Sequence, residues 1–200
     1  MSTRPQMPTA MSRRYNDDPA PWQTLAREYV IRDAPYFTLR RDHLRLPGGA
    51  EIPRYWITEF PPWVNVVAIT RQQEVVLIRQ YRPGLAGVHF ELPAGFVDAA
   101  DKDDFEQAAR RELLEETGFG GGSWQPLCQL APNPAMQNNF SHSFVARDVE
   151  IIANPNPEAT EDLRVHLIPN HAVLELIDSG QVAQALHAAP LLRYLLGQVR

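Results

Sequence analysis

The chain has 200 residues, 44% of them apolar and 22% charged, with a formal net charge of −5. That length suits one domain, or one domain with a small accessory piece, and is enough to bury a core. The acidic balance disfavours nonspecific binding to a nucleic-acid backbone, and the single cysteine, Cys128, excludes an internal disulfide. No apolar run approaches the ~20 residues needed to cross a bilayer, and no secretory signal pattern is present. A reducing, cytoplasmic setting is expected, with neither membrane nor nucleic acid as a partner.

Residues 1–21 are rich in Pro, Ser, Arg and Asp without an apolar period, and read as a flexible tail. From Trp22 to residue 60, short β-prone runs alternate with turn signals, including Pro47-Gly48-Gly49, which reads as a hairpin turn. Residues 22–60 therefore form a candidate N-terminal β-strand subdomain, and 61–200 the main domain. Strands are predicted over 64–70 and 74–82, then a short one over 90–98 that runs into a Pro/Gly turn. A helix is predicted over 103–117, capped by Asp101 or Asp103 and ended by Gly118. Strands follow over 124–131, 139–149 and 164–169, and helical segments over 171–180 and 182–199, with Leu174, Ile177 and Leu186 as an apolar face. The order implies an α+β fold, or a layered α/β/α sandwich with a mixed sheet and antiparallel N-terminal strands.

The central helix carries the chemistry. At 100° per residue, Glu112 and Glu116 lie roughly 40° apart and Glu115 about 60° to the other side of Glu112. Three carboxylates thus share one face, while Ala109 and Leu113 turn toward a sheet. Like charges at this spacing cost only a few tenths of a kcal/mol per pair, so a solvated acidic face is one reading. Hard oxygen donors on a helix next to the turn at 91–98 also suit Mg²⁺ or Mn²⁺. Arg111 adjoins Glu115 and can hold it.

Gly95, followed by Arg111, Glu112, Leu113, Glu115, Glu116, Gly118 and Phe119, resembles the Nudix box, G-x5-E-x7-R-E-U-x-E-E-x-G-U. The right half matches throughout. In the left half the glutamate position falls on Asp101, and nine residues separate it from Arg111 where the motif has seven. A two-residue insertion, with Asp101 or Asp103 in the glutamate's place, is the simplest account. The resemblance implies an α/β/α sandwich in which Glu112, Glu115, Glu116 and the backbone carbonyl of Ala94 hold Mg²⁺, Mn²⁺ being possible. It further implies hydrolysis of a nucleoside diphosphate linked to another moiety, with Glu115 and Arg111 in the catalytic set.

The runs 75–84 and 90–98 resemble the ADP-ribose and nucleoside-diphosphate-sugar pyrophosphatase branch. This makes Arg79 and Arg82 candidates for diphosphate or sugar-phosphate recognition, beside the alternative of plain surface arginines. Trp63 is a candidate for stacking on a base, and Asn138 and Asn139 for a ribose or base. His142 reads rather as a packed histidine. Similar enzymes draw a glutamate from a mobile loop after the box, and Glu161 best fits that position, as general base or extra ligand. The resemblance also implies a homodimer through residues 22–60. Alternatives are a hydrolase for GDP-mannose, a dinucleotide or an oxidised nucleotide, and a module that binds ADP-ribose without cleaving it.

Overall fold

The computed structural model describes residues 18–33, 37–98, 101 and 104–198. The chain divides into two compact units. One comprises the described residues up to Pro61 together with Ala131–Phe140, and the other Pro62–Leu130 with Ser141 onward.

The first unit is a three-stranded antiparallel sheet in the order β1 (Gln23–Asp33), β2 (Phe37–Arg45), β3 (Glu51–Glu59). The predicted turn closes β2 on β3, with Gly49 at φ +89°, a conformation that glycine adopts without steric cost. The inner face of β2 is partly charged. Arg40 and Asp42 are buried and paired with each other; Arg40 Nε also lies 2.6 Å from Glu59, and Arg27 donates to both oxygens of Asp42 at 3.1 and 3.2 Å. Residues 131–140 belong to this unit rather than to the main domain. Thr58 N–H donates to the Met136 carbonyl at 2.7 Å, and the Tyr55 hydroxyl to Ala135 at 2.7 Å.

The second unit holds a mixed sheet in the order β11-β5-β4-β10-β8, with β6 paired to β5, β7 to β4 and β9 to β10. The strands are β4 (Trp63–Thr70), β5 (Glu74–Arg82), β6 (Gly87–Glu91), β7 (Ala94–Phe96), β8 (Phe119–Gly120), β9 (Ser123–Leu130), β10 (Ser141–Ile151) and β11 (Leu163–Pro169). β4 and β10 run parallel; the other pairs are antiparallel. Because strand side chains alternate, β4 serves two cores. Val67 and Ile69 join Val75, Leu77, Phe90 and Leu92 beneath Val173, Val182, Leu191 and Tyr194. Val66 and Ala68 join Val76 beneath Leu113, and Val64 meets Ala108 and Ala109. One sheet face is therefore covered by α1 (Phe105–Thr117), the other by α2 (Val173–Asp178) and α3 (Ala185–Gln198). This is the α/β/α arrangement expected from the sequence.

Three local expectations are corrected. The α1 cap is Asp104, whose carboxylate accepts the Gln107 N–H at 3.0 Å. Asp101 lies further back in a different network, and Asp103 lies outside the described residues. Leu174 is 47% exposed, because the six-residue α2 turns Val173, Leu176 and Ile177 inward instead, the i, i+3, i+4 set. The last helical segment begins at Ala185, not 182; Val182 packs from the preceding turn.

α3 contains Pro190, which has no N–H to offer the carbonyl of Leu186. The buried Asn65 on β4 replaces it: its amide donates to Leu186 O at 3.1 Å and lies 3.2 Å from Ser141 Oγ. Asn65→Ala strands these groups and is expected to cost about 2 kcal/mol in urea unfolding. In a Pro190→Ala background, which restores a backbone donor, the same change should cost about 1 kcal/mol. Equal costs in both backgrounds would refute this account.

Candidate active site

The helix α1 rests on the sheet through Ala108, Ala109 and Leu113, all fully buried. This contact fixes the rotation of the helix and carries two of its acids inward. Glu112 is 8% and Glu116 2% exposed, while the Glu115 side chain is 44% exposed. Space for Glu112 exists because position 95 is glycine: a Cβ there would meet the Glu112 carboxyl atoms at 2.2–2.6 Å. Glu116 accepts the Ala94 backbone N–H at 3.0 Å. Gly118 ends the helix at φ +75°, its N–H donating to Leu114 O at 2.8 Å.

Arg111 organises the outer edge. Its Nη1 lies 2.9 Å from Glu112 and 3.0 Å from Glu115, and its Nη2 reaches Asp101 at 3.1 Å and the Phe96 carbonyl at 3.3 Å. Asp101 in turn accepts the Asp98 N–H at 2.9 Å. The residue found where the box has its glutamate thus buttresses Arg111. Burial opposes ionisation of Asp101, but Arg111 and the Asp98 N–H outweigh it and lower the carboxyl below its usual range.

The inner acids are short of positive charge. Burial pushes Glu112 up to about 7 against the pull of Arg111, with Glu115 and Glu161 adding repulsion. Burial pushes Glu116 to about 9 despite the Ala94 N–H, with further repulsion from Glu112, Glu161 and Glu91. Glu161 is therefore near enough for its charge to act on both acids. Its own carboxylate accepts the Glu158 N–H at 2.9 Å, closing a turn in the acidic loop.

Among the described residues, no three acidic, histidine or cysteine side chains converge tightly enough to form a metal cage by themselves. The donor chemistry still fits a hard divalent cation. Glu112 and Glu116 offer oxygen only and are buried with too little counter-charge, and Gly95 leaves Glu112 room.

The arginines separate. Arg82 on β5 faces the acid side, where the hydrogen bond to Glu91 foremost, and then the charges of Glu91, Glu116 and Glu161, raise its pKa against burial. It forks onto Glu91, Nε to Oε1 at 2.7 Å and Nη2 to Oε2 at 2.6 Å. Arg79, three residues earlier, projects from the opposite face, over the Phe90 ring. The two arginines, both candidates for diphosphate recognition from the sequence, therefore lie on opposite faces of the strand. Asn138 and Asn139 are engaged in their own unit: Asn138 Oδ1 accepts the Phe60 N–H at 3.3 Å and Asn139 donates to Pro61 O at 3.2 Å. Trp63 stands edge-on to His187 with centroids 5.2 Å apart. His142 stacks on Phe105 at 3.7 Å, a packed histidine as expected.

Glu91 and His187 carry no signal in the sequence. Glu91 reads as an ordinary strand residue, and its pairing register with Ile78, two residues from Gln80 and four from Arg82 on the same face, is invisible in sequence. The Leu92 N–H donates to His187 Nδ1 at 3.1 Å, which leaves the proton on Nε2, 3.4 Å from Glu91. Burial lowers the pKa of His187, so the ring is neutral.

A NUDIX domain profile matches residues 59–186, and a nucleoside diphosphate sugar hydrolase N-terminal domain profile matches 22–57. The chain is 27% identical over 172 residues to the ADP-ribose pyrophosphatase of Mycobacterium tuberculosis, covering 86% of this chain and 82% of that protein. It is 26% identical to the ADP-ribose pyrophosphatase of Bacillus subtilis, covering 82% and 86%. To the GDP-mannose pyrophosphatase of Salmonella arizonae it is 30% identical, covering 80% and 87%. A crystal structure of an ADP compounds hydrolase shares the fold, with a TM-score of 0.76 at 23% identity over 90% of this chain and 97% of the other. Among the described residues no helix is long and apolar enough to cross a membrane.

The Glu91–Arg82 pair sets an acid response. Burial alone would raise Glu91, but Arg82 and then His187 hold it at about 2 against an ordinary 4.5. Because the folded value is the lower one, the stabilisation is complete above the unfolded value and is lost as pH falls from 4.5 toward 2. Glu91→Gln is expected to lose about 3 kcal/mol at pH 7, and the gap from the parent should narrow steadily below pH 4 in urea unfolding. A gap independent of pH would contradict it.

Proposed function

Because the chain belongs to the Nudix family of pyrophosphate-bond hydrolases, we propose that it hydrolyses the pyrophosphate of ADP-ribose or a related nucleoside diphosphate sugar, giving a nucleoside monophosphate and a sugar phosphate. The observation that carries this reading is the buried, under-neutralised pair Glu112 and Glu116, beside Arg82 and within electrostatic reach of Glu161. The substrate class is supported by the named relatives and by the match of residues 22–57 to a nucleoside diphosphate sugar hydrolase N-terminal domain. GDP-mannose is the second candidate, on the strength of the Salmonella relative.

In this reading Glu112, Glu115 and Glu116, with the Ala94 carbonyl, would hold Mg²⁺ (or Mn²⁺). When bound, a divalent ion supplies counter-charge for the diphosphate and an activated water. The protein's part is positional. Gly95 lets Glu112 approach, the Ala94 N–H aims Glu116, and Arg111 orients the outer acid. Arg82 is pre-set by Glu91 and presents its fork to a diphosphate oxygen. Glu161 accepts a proton from the attacking water once its loop turn opens. We also propose a homodimer: β1 is largely exposed on both faces, with Val30 at 47% and Ile31 at 43%, and a second copy would cover it. Light scattering giving the mass of one chain would exclude that.

Purified protein should release AMP and ribose 5-phosphate from ADP-ribose with Mg²⁺, and none after chelation. Glu116→Gln should lower kcat by about 10²–10³, the equivalent of 3–4 kcal/mol of barrier. Glu161→Gln should lower kcat with little change in KM. Ligand binding without turnover would identify a sensor rather than an enzyme, and full turnover in Glu161→Gln would remove that residue from the reaction.

A further inference from the structure

The sheet face away from Glu112 carries a polar group that hydrolysis does not use. Along β5 Gln80 and Arg82 donate to Glu91 on the acid side, although Gln80 also borders the groove behind, and Arg79 and Tyr81 point to that groove. Along β11 the same alternation sends Val165 toward Leu113, and Arg164 and His166 the other way. Arg79, Tyr81, Val88, Asp162, Arg164 and His166 border an open groove of about 530 Å³, within the size range of small-molecule sites.

Three features of this groove call for an anion. Arg79 and Arg164 are direct partners in the antiparallel β5–β11 register, so two guanidinium groups start from adjacent backbone positions on one face. Like charges placed opposite each other destabilise a sheet unless something lies between them. Arg79 has no ion pair or hydrogen bond among the described residues: its Nε is buried without a partner, and its guanidinium rests 4.9 Å from the Phe90 ring centroid. Among the described residues Arg164 has one ion pair, with Asp162 at 2.8 Å, and also donates to the Leu163 carbonyl at 2.8 Å; both side chains of the pair are at least 75% exposed, so water screens it and a better partner can replace Asp162. Beside the arginines stands an apolar wall. Tyr81 and Val88 are register partners, 56% and 50% exposed. A net charge of −5 across the chain makes this concentration of positive charge local.

We propose that the groove binds a phosphomonoester attached to a planar ring, a nucleoside monophosphate being the simplest, with the phosphate between Arg79 and Arg164 and the ring against Tyr81 and Val88. Guanidinium forks match phosphate geometry, and an exposed tyrosine beside them gives a base a surface to stack on. The site is independent of the hydrolytic reading: it lies across the sheet from Glu112 and Glu116 and needs no metal.

The test is calorimetric titration of the full chain with AMP in the presence of EDTA, with adenosine and ribose 5-phosphate as parallel probes. Saturable AMP binding is expected, with ribose 5-phosphate weaker and adenosine silent. Arg79→Ala with Arg164→Ala should weaken AMP by about tenfold or more. Tyr81→Ala, at a position too exposed to unfold the chain, should weaken AMP but leave ribose 5-phosphate within about twofold. Arg110→Ala, which removes a positive charge from the exposed side of α1, should change neither. No binding in EDTA, undiminished binding in the double variant, or an equal loss in Arg110→Ala would each overturn the assignment. Equal affinity for AMP and ribose 5-phosphate would overturn the role of the ring wall.

Discussion

Two carboxylates are buried where the protein supplies too few positive partners for them. Glu112 and Glu116 reach that position because Leu113, Ala108 and Ala109 on the same helix are pressed into the sheet, and a helix cannot bury one stripe without fixing the rotation of the next. A site of this kind is unfavourable for the empty fold. Burying charge is costly unless it is paired, and the raised proton affinities of both acids express that cost. The surroundings preserve the arrangement instead of relieving it. Gly95 keeps the space open, the Ala94 N–H holds one oxygen of Glu116, and Arg111 is drawn to the rim by Asp101 and Glu115. In the proposed function, a cation arriving from solution is what such a design serves.

Strand alternation distributes the remaining chemistry. β5 and β11 are neighbours, and each sends every second side chain to the acid side. Gln80 and Arg82 go there with Glu91, while Arg79, Tyr81, Arg164 and His166 go to the groove behind. The two faces also differ in how their arginines are held. Arg82 is locked to a buried glutamate, itself backed by a neutral histidine. Arg79 is held by an aromatic face alone. The first is a preset tool for one geometry; the second is an open receptor for negative charge.

Much of this was legible in the sequence. The apolar runs of β4 and β5 and the helix α1 are long and strongly patterned, and the spacing of Glu112, Glu115 and Glu116 follows from helical geometry alone. Less legible was anything that depends on which strand lies beside which. Glu91 gains its role only through pairing with β5, and His187 only because Leu92 N–H selects its tautomer. Residues 131–140 sit between two strands of one unit yet hydrogen-bond to β3 of the other, a long-range pairing that no local pattern records. Arg79 and Arg82 shared a motif, and only period-two geometry separates them. The cap moved to Asp104 because several acids precede the helix, and local chemistry does not choose among them.

The claim that Glu112 and Glu116 are built for a divalent ion is tested most directly by Mn²⁺ titration followed by electron paramagnetic resonance, with no substrate present. The account predicts that the wild-type chain removes Mn²⁺ from the free-ion signal, that Mg²⁺ competes it back, and that Glu112→Gln with Glu116→Gln leaves the ion free. A wild-type chain that leaves the free signal untouched, or a double variant that binds as well as the parent, would contradict it.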